Sequence, residues 1–147
     1  MLWGLLISAA LAGEAYRSPE AIATLLSSPS PSGRVVSFWA TWCGPCIAEL
    51  PELQAFAAQS DAELLLVNTN YPHERTVRPF LQQHGLSGQA VVRLYAPEPP
   101  AGLDAAVPGW PGTLPFTVVV SPDGTQQQIL AGAVEAVQLN VALGALR

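Results

Sequence analysis

The sequence has no lysine, and all of its basic residues are arginine. Six arginines stand against eleven acidic residues, which gives a net charge of −5. Charged residues make up 12% of the chain, whereas an average domain has roughly 25%. A nucleic-acid-binding protein needs a basic face that neutralises phosphates, and anionic lipid is bound through clusters of basic side chains. The composition therefore argues against a nucleic-acid partner and against membrane docking by charge alone.

Cysteine is also scarce, and the spacing of the two that are present, Cys43 and Cys46, restricts their use. A disulfide between them closes a very short loop and adds little stability. A structural zinc site needs about four ligands, and the spacing of His73 and His84 is wrong for a zinc finger. Haem attachment requires a histidine directly after the second cysteine, where Ile47 stands. Redox chemistry remains, and it implies no metal and no organic cofactor.

Long apolar runs are absent except at the N-terminus. Residues 2–12 carry no charge, and as a helix they would span about 16 Å, short of the ~30 Å hydrocarbon layer of a bilayer. Ala10-Leu11-Ala12 matches a small-x-small cleavage site. We predict that residues 1–12 are a signal peptide or a short N-terminal anchor, and that residues 13–147 form a single domain in the periplasm or another extracytoplasmic space. No basic residue precedes the run, so a buried N-terminal helix or a misassigned start, and a cytoplasmic location, are the alternatives.

Helical and strand patterns alternate along the remainder, which predicts an α/β domain. Nearly continuous apolar runs are typical of buried strands, and they occur at residues 35–40, 63–68, 91–95 and 116–120. A hairpin partner follows at 126–131. Helices are predicted after Ser18-Pro19-Glu20, from residue 47, over 74–84, as a single turn near 103–106, and from 134 to the end.

The cysteines lie in Trp42-Cys43-Gly44-Pro45-Cys46, between a buried strand and an amphipathic helix. The strand delivers Cys43 to the carboxyl end of the sheet, where α/β proteins place their sites. The N–H groups and the positive dipole end of the following helix stabilise a thiolate there, which lowers its pKa. Because residues three apart share a helix face, Cys46 lies within reach of Cys43.

Two segments resemble the thioredoxin superfamily. Phe38–Pro51 contains Cys-x-Pro-Cys-x-x-Glu-x-Pro and is similar to exported TlpA/ResA-like thiol–disulfide oxidoreductases. Gly112–Gly124 is similar to the cis-proline strand and hairpin of the family. The resemblance implies a thioredoxin-like fold: a central mixed β-sheet flanked by helices, with a C-terminal β-hairpin and helix.

The resemblance also implies roles for individual residues. Cys43 is the attacking thiolate and Cys46 is the resolving thiol. Pro115 is the cis-proline opposite the cysteines, and the backbone of Leu114, directly before it, contacts the substrate peptide. Glu49 matches the acidic residue of the ResA-like subgroup, with two interpretations open: proton transfer, or a first-turn acid that stabilises the helix start.

Three further positions carry interpretations or departures from the family. Trp42 is expected to be an exposed lid that contacts substrate, the alternative being simple packing. Ser37 stands where thioredoxin has a buried aspartate six residues before its first cysteine, so proton handling must come from elsewhere or be slower. Phe116 stands where the family usually has threonine after the cis-proline, which affects the details of partner docking.

The resulting functional hypothesis is a monomeric thiol–disulfide oxidoreductase that reduces protein disulfides outside the cytoplasm, with cytochrome c maturation as one use. The Gly-Pro dipeptide lacks the histidine that strong oxidants of the superfamily place between their cysteines, which favours a reductant. An upstream thiol reductant, membrane-bound or thioredoxin-like, must then restore the dithiol. The alternative hypothesis is a non-catalytic thioredoxin-like module or chaperone that holds a client or a partner subunit.

Overall fold

The computed structural model of the protein describes residues 14–69, 77–85, 90–94 and 103–146. Within these ranges the strands are β1 (Glu14–Arg17), β2 (Arg34–Trp39), β3 (Glu63–Asn68), β4 (Ala90–Leu94), β5 (Phe116–Val120) and β6 (Gln127–Ala131). The helices of the same ranges are α1 (Pro19–Ser27), α2 (Gly44–Gln59), α3 (Val77–Gln83), α4 (Leu103–Ala106) and α5 (Ala136–Ala145).

The strands form one mixed sheet in the order β1-β4-β3-β2-β5-β6. β1, β4, β3 and β2 run parallel to one another, whereas β5 is antiparallel to both β2 and β6. The parallel strands are joined through helices, as parallel connections require, and β5 and β6 form a hairpin. This is the predicted thioredoxin-like α/β architecture, and the fold class is confirmed.

The side chains of the central strand β2 alternate between two hydrophobic clusters on opposite faces of the sheet. Val35 and Trp39 pack with residues of α2 and α5, and Val36 and Phe38 pack with residues of α1. All six residues of β2 are buried, as expected of a strand covered on both faces. The same alternation turns Ser37 toward α2, on the face of the sheet where the cysteines lie.

The ends of the elements follow local chemistry. Ser18 is the N-cap of α1, where its hydroxyl accepts a hydrogen bond from the N–H of Ala21 at 3.3 Å. Pro51 lies inside α2, which nevertheless continues to Gln59. The last helix begins at Ala136, two residues later than predicted, because Glu135 and Gln138 form a reciprocal capping box there.

β1 is a strand that the sequence pattern does not predict. It has only four residues, too few to show a periodic signal, and its hydrogen-bonded pairing with β4 makes it a strand. The helix predicted over 74–84 is described from Val77, and residues 74–76, Tyr95 and the predicted leader 1–12 lie outside the described residues. Among the helices that are described, none has the length and apolarity needed to cross a bilayer.

Candidate active site

The candidate site lies where β2 ends and β5 begins. The two strands are antiparallel neighbours, and their final pair joins Phe38 to Phe116. Cys43 follows the end of β2 after a short turn, closed by a 3.2 Å hydrogen bond from its N–H to the carbonyl of Ala40. Pro115 directly precedes β5. The register of this strand pair therefore brings the cysteine motif and the proline to the same end of the sheet.

Cys43 and Cys46 form a disulfide, with their Cα atoms 5.2 Å apart, within the usual range for a disulfide. Cys43 is the N-cap residue of α2, and its sulfur accepts a hydrogen bond from the N–H of Cys46 at 3.3 Å. A helix N-terminus presents N–H groups that lack an intrahelical acceptor, together with a partial positive charge. When the pair is reduced, both features favour the thiolate of Cys43 over its thiol.

Solvent reaches the two sulfur-bearing residues unequally. Cys43 retains 5% of its accessible surface and Cys46 retains none. Cys43 ends the loop after β2 and was expected to be exposed, but this expectation is wrong: both residues are buried, and only Cys43 keeps any accessible surface. Its neighbour Trp42 is 68% exposed, so packing into the core, the alternative interpretation of this side chain, is wrong.

This difference predicts selective alkylation of the reduced protein. At pH 7 and limiting iodoacetamide, Cys43 should be labelled at least about tenfold faster than Cys46, because its thiolate is stabilised and some of its surface is open. Peptide mass spectrometry after quenching measures the ratio, and the denatured protein provides the control in which both thiols react alike. Preferential labelling of Cys46 would reverse the roles assigned to the pair.

The Leu114–Pro115 peptide bond is cis, as the resemblance implies. Leu114 is half-buried and packs against both hydrophobic clusters at the end of the sheet. Phe116 is fully buried, and its ring stacks on Phe38 with a 4.2 Å separation between centroids. The aromatic residue in place of the usual threonine is therefore a core residue, and it follows the half-buried Leu114 and the buried Pro115.

Glu49 is almost completely buried, with 2% of its surface accessible. Its carboxylate accepts a hydrogen bond from the Ser37 hydroxyl at 3.2 Å on one oxygen and from the backbone N–H of Val134 at 3.0 Å on the other. Burial raises the pKa of this carboxyl from 4.5 to about 7, while the bonds from Val134 and Ser37 limit the rise. Its ionisation therefore falls near neutral pH.

The interpretation of Glu49 as a first-turn acid is wrong. α2 begins at Gly44, and its first turn contains no acidic residue. The side chain of Glu49 lies in the second turn and points into the protein toward Ser37, rather than along the free N–H groups at the helix start. It occupies the same helix face as Cys46, one turn further along. A buried carboxyl group thus stands beside Ser37, at the place where the strand itself supplies none.

Two hydrogen-bonding groups near Glu49 are not predicted from the sequence. One is the backbone N–H of Val134, and the other is Glu52, whose carboxylate accepts a hydrogen bond from the N–H of Ala136 at 2.8 Å. A backbone donor has no residue-type signature, and a glutamate on a helix is usually a solvated residue. The sequence does show that Glu49 and Glu52 are at helical spacing. This spacing indicates contacts with the start of α5 only when the position of α5 is known.

Within the described residues, no histidine belongs to the site. His84 is exposed and its ring stacks on Phe80, with 4.1 Å between centroids. His73 lies outside the described residues. Among the described residues, no three His, Cys, Asp or Glu side chains are grouped so that they could hold a metal ion.

Comparisons with known proteins match both the fold and the motif. Residues 20–86 match the family model described as Thioredoxin. The chain is 30% identical over 111 residues to the thiol-disulfide oxidoreductase ResA of Geobacillus kaustophilus, covering 73% of this chain and 59% of the relative. A thioredoxin-related protein from Neisseria meningitidis serogroup B superposes with a TM-score of 0.67 at 26% identity, covering 81% of this chain and 87% of that one. StoA from Bacillus subtilis superposes with a TM-score of 0.54 at 25% identity, covering 76% and 82% respectively.

The chain spans little more than half the length of the curated ResA relatives that it matches: 59% of the protein from Geobacillus kaustophilus and 55% of that from Geobacillus thermodenitrificans. The match to the first relative covers 73% of this chain, so wherever it begins it includes the cysteine motif at residues 43–46.

Proposed function

We propose that the chain, which belongs to the thioredoxin superfamily and is similar to ResA within it, is a thiol–disulfide oxidoreductase that reduces disulfides in other proteins. The observation that carries the proposal is the Cys43–Cys46 disulfide at the N-terminus of α2, where the Cys43 sulfur accepts a hydrogen bond from the N–H of Cys46. A dithiol at that position has one activated thiolate and one shielded thiol. These are the two groups that sequential disulfide exchange requires.

The reaction begins with the reduced pair. The Cys43 thiolate attacks one sulfur of the substrate disulfide, and the other substrate sulfur leaves as a thiolate that takes up a proton. Cys46 then loses its proton and attacks the Cys43 sulfur of the mixed disulfide, which releases the second substrate thiolate. The substrate gains two electrons and two protons, and the protein ends as the Cys43–Cys46 disulfide seen in the structure.

Glu49 is proposed to accept the proton of Cys46 in the second step. Support comes from its place one turn after Cys46 on α2 and from its burial, which brings its pKa to about 7, toward that of a thiol. Proton transfer is efficient when the pKa of the acceptor lies near the working pH. Ser37 donates a hydrogen bond to Glu49 and thereby helps to orient the carboxylate.

Substrate docking is proposed to use Trp42, Leu114 and Pro115. Trp42 presents a large exposed apolar surface next to Cys43, and the cis bond at Pro115 shapes the chain just before β5 begins. An extended substrate segment placed beside Leu114 would pair with its backbone as an added strand, a common mode of peptide recognition. Trp42 would then cover the apolar side chains that flank the substrate disulfide.

The direction of exchange and the compartment are also part of the proposal. The Gly-Pro dipeptide between the cysteines favours a reductant, with an upstream thiol carrier, membrane-bound or thioredoxin-like, restoring the dithiol. The ResA-like character and the apolar residues 2–12 favour an extracytoplasmic setting. There, reduction of an apocytochrome disulfide to the two thiols that haem attachment needs is one use of the activity.

An insulin-reduction assay with dithiothreitol tests the proposal against a non-catalytic binding module. Catalytic amounts of the protein should accelerate precipitation of the insulin B chain, and protein whose thiols have been alkylated should lose the acceleration. A binding module would retain its client whether or not it had been alkylated, and it would leave the rate of insulin reduction unchanged. That second result would refute the oxidoreductase proposal.

A further inference from the structure

The segment between β6 and α5, residues 132–135, is held close to the candidate site and is called the connector here. At its start, the N–H of Gly132 donates to the carbonyl of Pro115 at 3.0 Å. In its middle, the N–H of Val134 donates to Glu49 at 3.0 Å. Directly after it, the N–H of Ala136 donates to Glu52 at 2.8 Å. The connector is therefore tied both to the cis-proline and to the helix that carries the cysteines.

Gly132 allows the chain to enter the connector from β6. Its φ is +79°, a value that L side chains rarely adopt, and a Cβ at this position would meet nothing within 4 Å. The requirement for glycine is thus conformational rather than steric. Two residues after this turn, the N–H of Val134 reaches the buried carboxylate of Glu49 on α2.

Glu52 supplies an acceptor that α5 cannot supply for itself. The first N–H groups of a helix have no intrahelical acceptor. The capping box of α5 uses the side chain of Gln138 for the N–H of Glu135, at 2.7 Å. The N–H of Ala136, the first residue of the helix, bonds instead to Glu52 on α2. Glu52 therefore anchors the start of α5 to α2, one turn beyond Glu49.

We propose that Glu52 is a positioning residue for Glu49: by anchoring the start of α5, it holds the N–H of Val134 on the Glu49 carboxylate. This role rests on, and deepens, the proposed function, in which that carboxylate exchanges a proton with Cys46. Val134 is buried and lies only two residues from Ala136, so a displacement of the anchored end is transmitted directly to its N–H. Loss of the anchor weakens a bond that favours the ionised form of Glu49.

Other polar and titratable groups lie on the elements around Glu49, and the test must separate any effect they have on its pKa from that of Glu52. Cys46 lies on the same helix face, and Ser37 donates from β2. The buried hydroxyl of Thr117 lies on β5 in register with Ser37. Glu135 stands at the start of α5. Arg34 lies at the opposite end of β2, where it pairs with Glu63 at 2.7 Å.

The charge and the anchoring of Glu52 would move the pKa of Glu49 in opposite directions. Like-charge repulsion from a second carboxylate would raise it, whereas the hydrogen bond from Val134, which the anchor secures, lowers it. Glu52→Gln removes the charge and keeps an oxygen that accepts from Ala136. Glu52→Ala removes both, and Glu52→Asp keeps the charge but shortens the reach by one methylene. The set therefore separates anchoring from charge.

The experiment is a pH titration of the Glu49 carboxyl by ¹³C NMR in the oxidised protein. In Glu52→Gln the pKa of Glu49 should equal or fall below the parent value. In Glu52→Ala it should lie at least about half a unit above the Gln variant, and in Glu52→Asp it should lie above the parent. Equal values in the Ala and Gln variants, or an unchanged value in the Asp variant, would overturn the proposal.

Gln138→Ala is the matched control, because it removes another hydrogen bond at the start of α5 without changing any charge. The pKa of Glu49 should stay within about 0.2 units of the parent in this variant if the anchor at Glu52 is the specific determinant. A shift as large as that of Glu52→Ala would mean that any loosening of the helix start suffices, and it would refute the role of Glu52. Since no substrate is present, a protein that shows these shifts yet fails to reduce insulin would refute the proposed function and leave the positioning role standing.

Discussion

Replacing Cys46 with serine is expected to lower multiple-turnover insulin reduction by at least about a hundredfold, because the nucleophile proposed to resolve the mixed disulfide is lost. The first exchange should still occur. Cys43 lies at the helix N-terminus, and the hydrogen bond to its sulfur comes from the backbone N–H of residue 46, which serine retains. A covalent complex between Cys46→Ser and a substrate protein should therefore accumulate, visible as a band of higher mass on a non-reducing gel and removed by dithiothreitol.

Cys43→Ser is the matched control for this prediction. Cys46 has no accessible surface, so it should attack substrate slowly and form no comparable complex. Trapping by Cys43→Ser but not by Cys46→Ser would exchange the two roles. Identification of the proteins trapped by Cys46→Ser in the native host would also give a direct view of the substrates.

Replacing Glu49 with glutamine is expected to change how the stability of the protein depends on pH. Burial raises the pKa of this carboxyl from 4.5 to about 7 in the folded state, so between these values the folded protein holds a proton that the unfolded chain releases. The folded state is thereby favoured at low pH, and this contribution is lost as the pH rises through about 7. Between pH 5 and pH 8.5 the parent should lose about 2–3 kcal/mol of unfolding free energy through this group alone.

Glutamine retains an oxygen that accepts from Val134, but it carries no ionisable group. The unfolding free energy of Glu49→Gln, measured by urea denaturation across that pH range, should therefore rise relative to the parent by about 2–3 kcal/mol toward pH 8.5. Asp104→Asn is a suitable control, because Asp104 is an exposed carboxyl at the start of α4. A constant difference between Glu49→Gln and the parent at all pH values would show that the Glu49 carboxyl titrates normally.

The same variant tests the proposed role of Glu49 as acceptor of the Cys46 proton. The rate at which the mixed disulfide resolves should fall several-fold, and its dependence on pH near 7 should change, because the proposed acceptor of the Cys46 proton is gone. Rapid-quench measurements on a preformed mixed disulfide isolate this step. If the rate and the pH profile remain those of the parent while the stability changes, Glu49 is a buried structural residue and the proton leaves by another route.

Much of the fold and of the redox pair was predictable because the signals are local. The strands at 63–68 and 116–120 and the helical turn at 103–106 have the predicted bounds, since continuous apolar runs and turn residues are contiguous in the chain. The Cys43–Cys46 pair was predictable for the same reason, because a helix that starts between the two residues places them one turn apart. β1 was not predictable, because a four-residue edge strand owes its structure to hydrogen bonds with β4.

The sequence by itself thus determined the α/β architecture and the Cys43–Cys46 pair, which depend on residue types within short segments, and its resemblance to the thioredoxin superfamily indicated the position of the cis-proline. Only the tertiary structure decided which groups surround the Glu49 carboxylate. Its partner Val134 is 85 residues away in the chain, and Glu52 and Ala136 are separated by 84. Backbone N–H groups occur at nearly every residue, so no pattern indicates which of them will meet a carboxylate. Packing of α5 against α2 selects those contacts, and burial of the carboxylate in that packing moves its pKa toward neutrality.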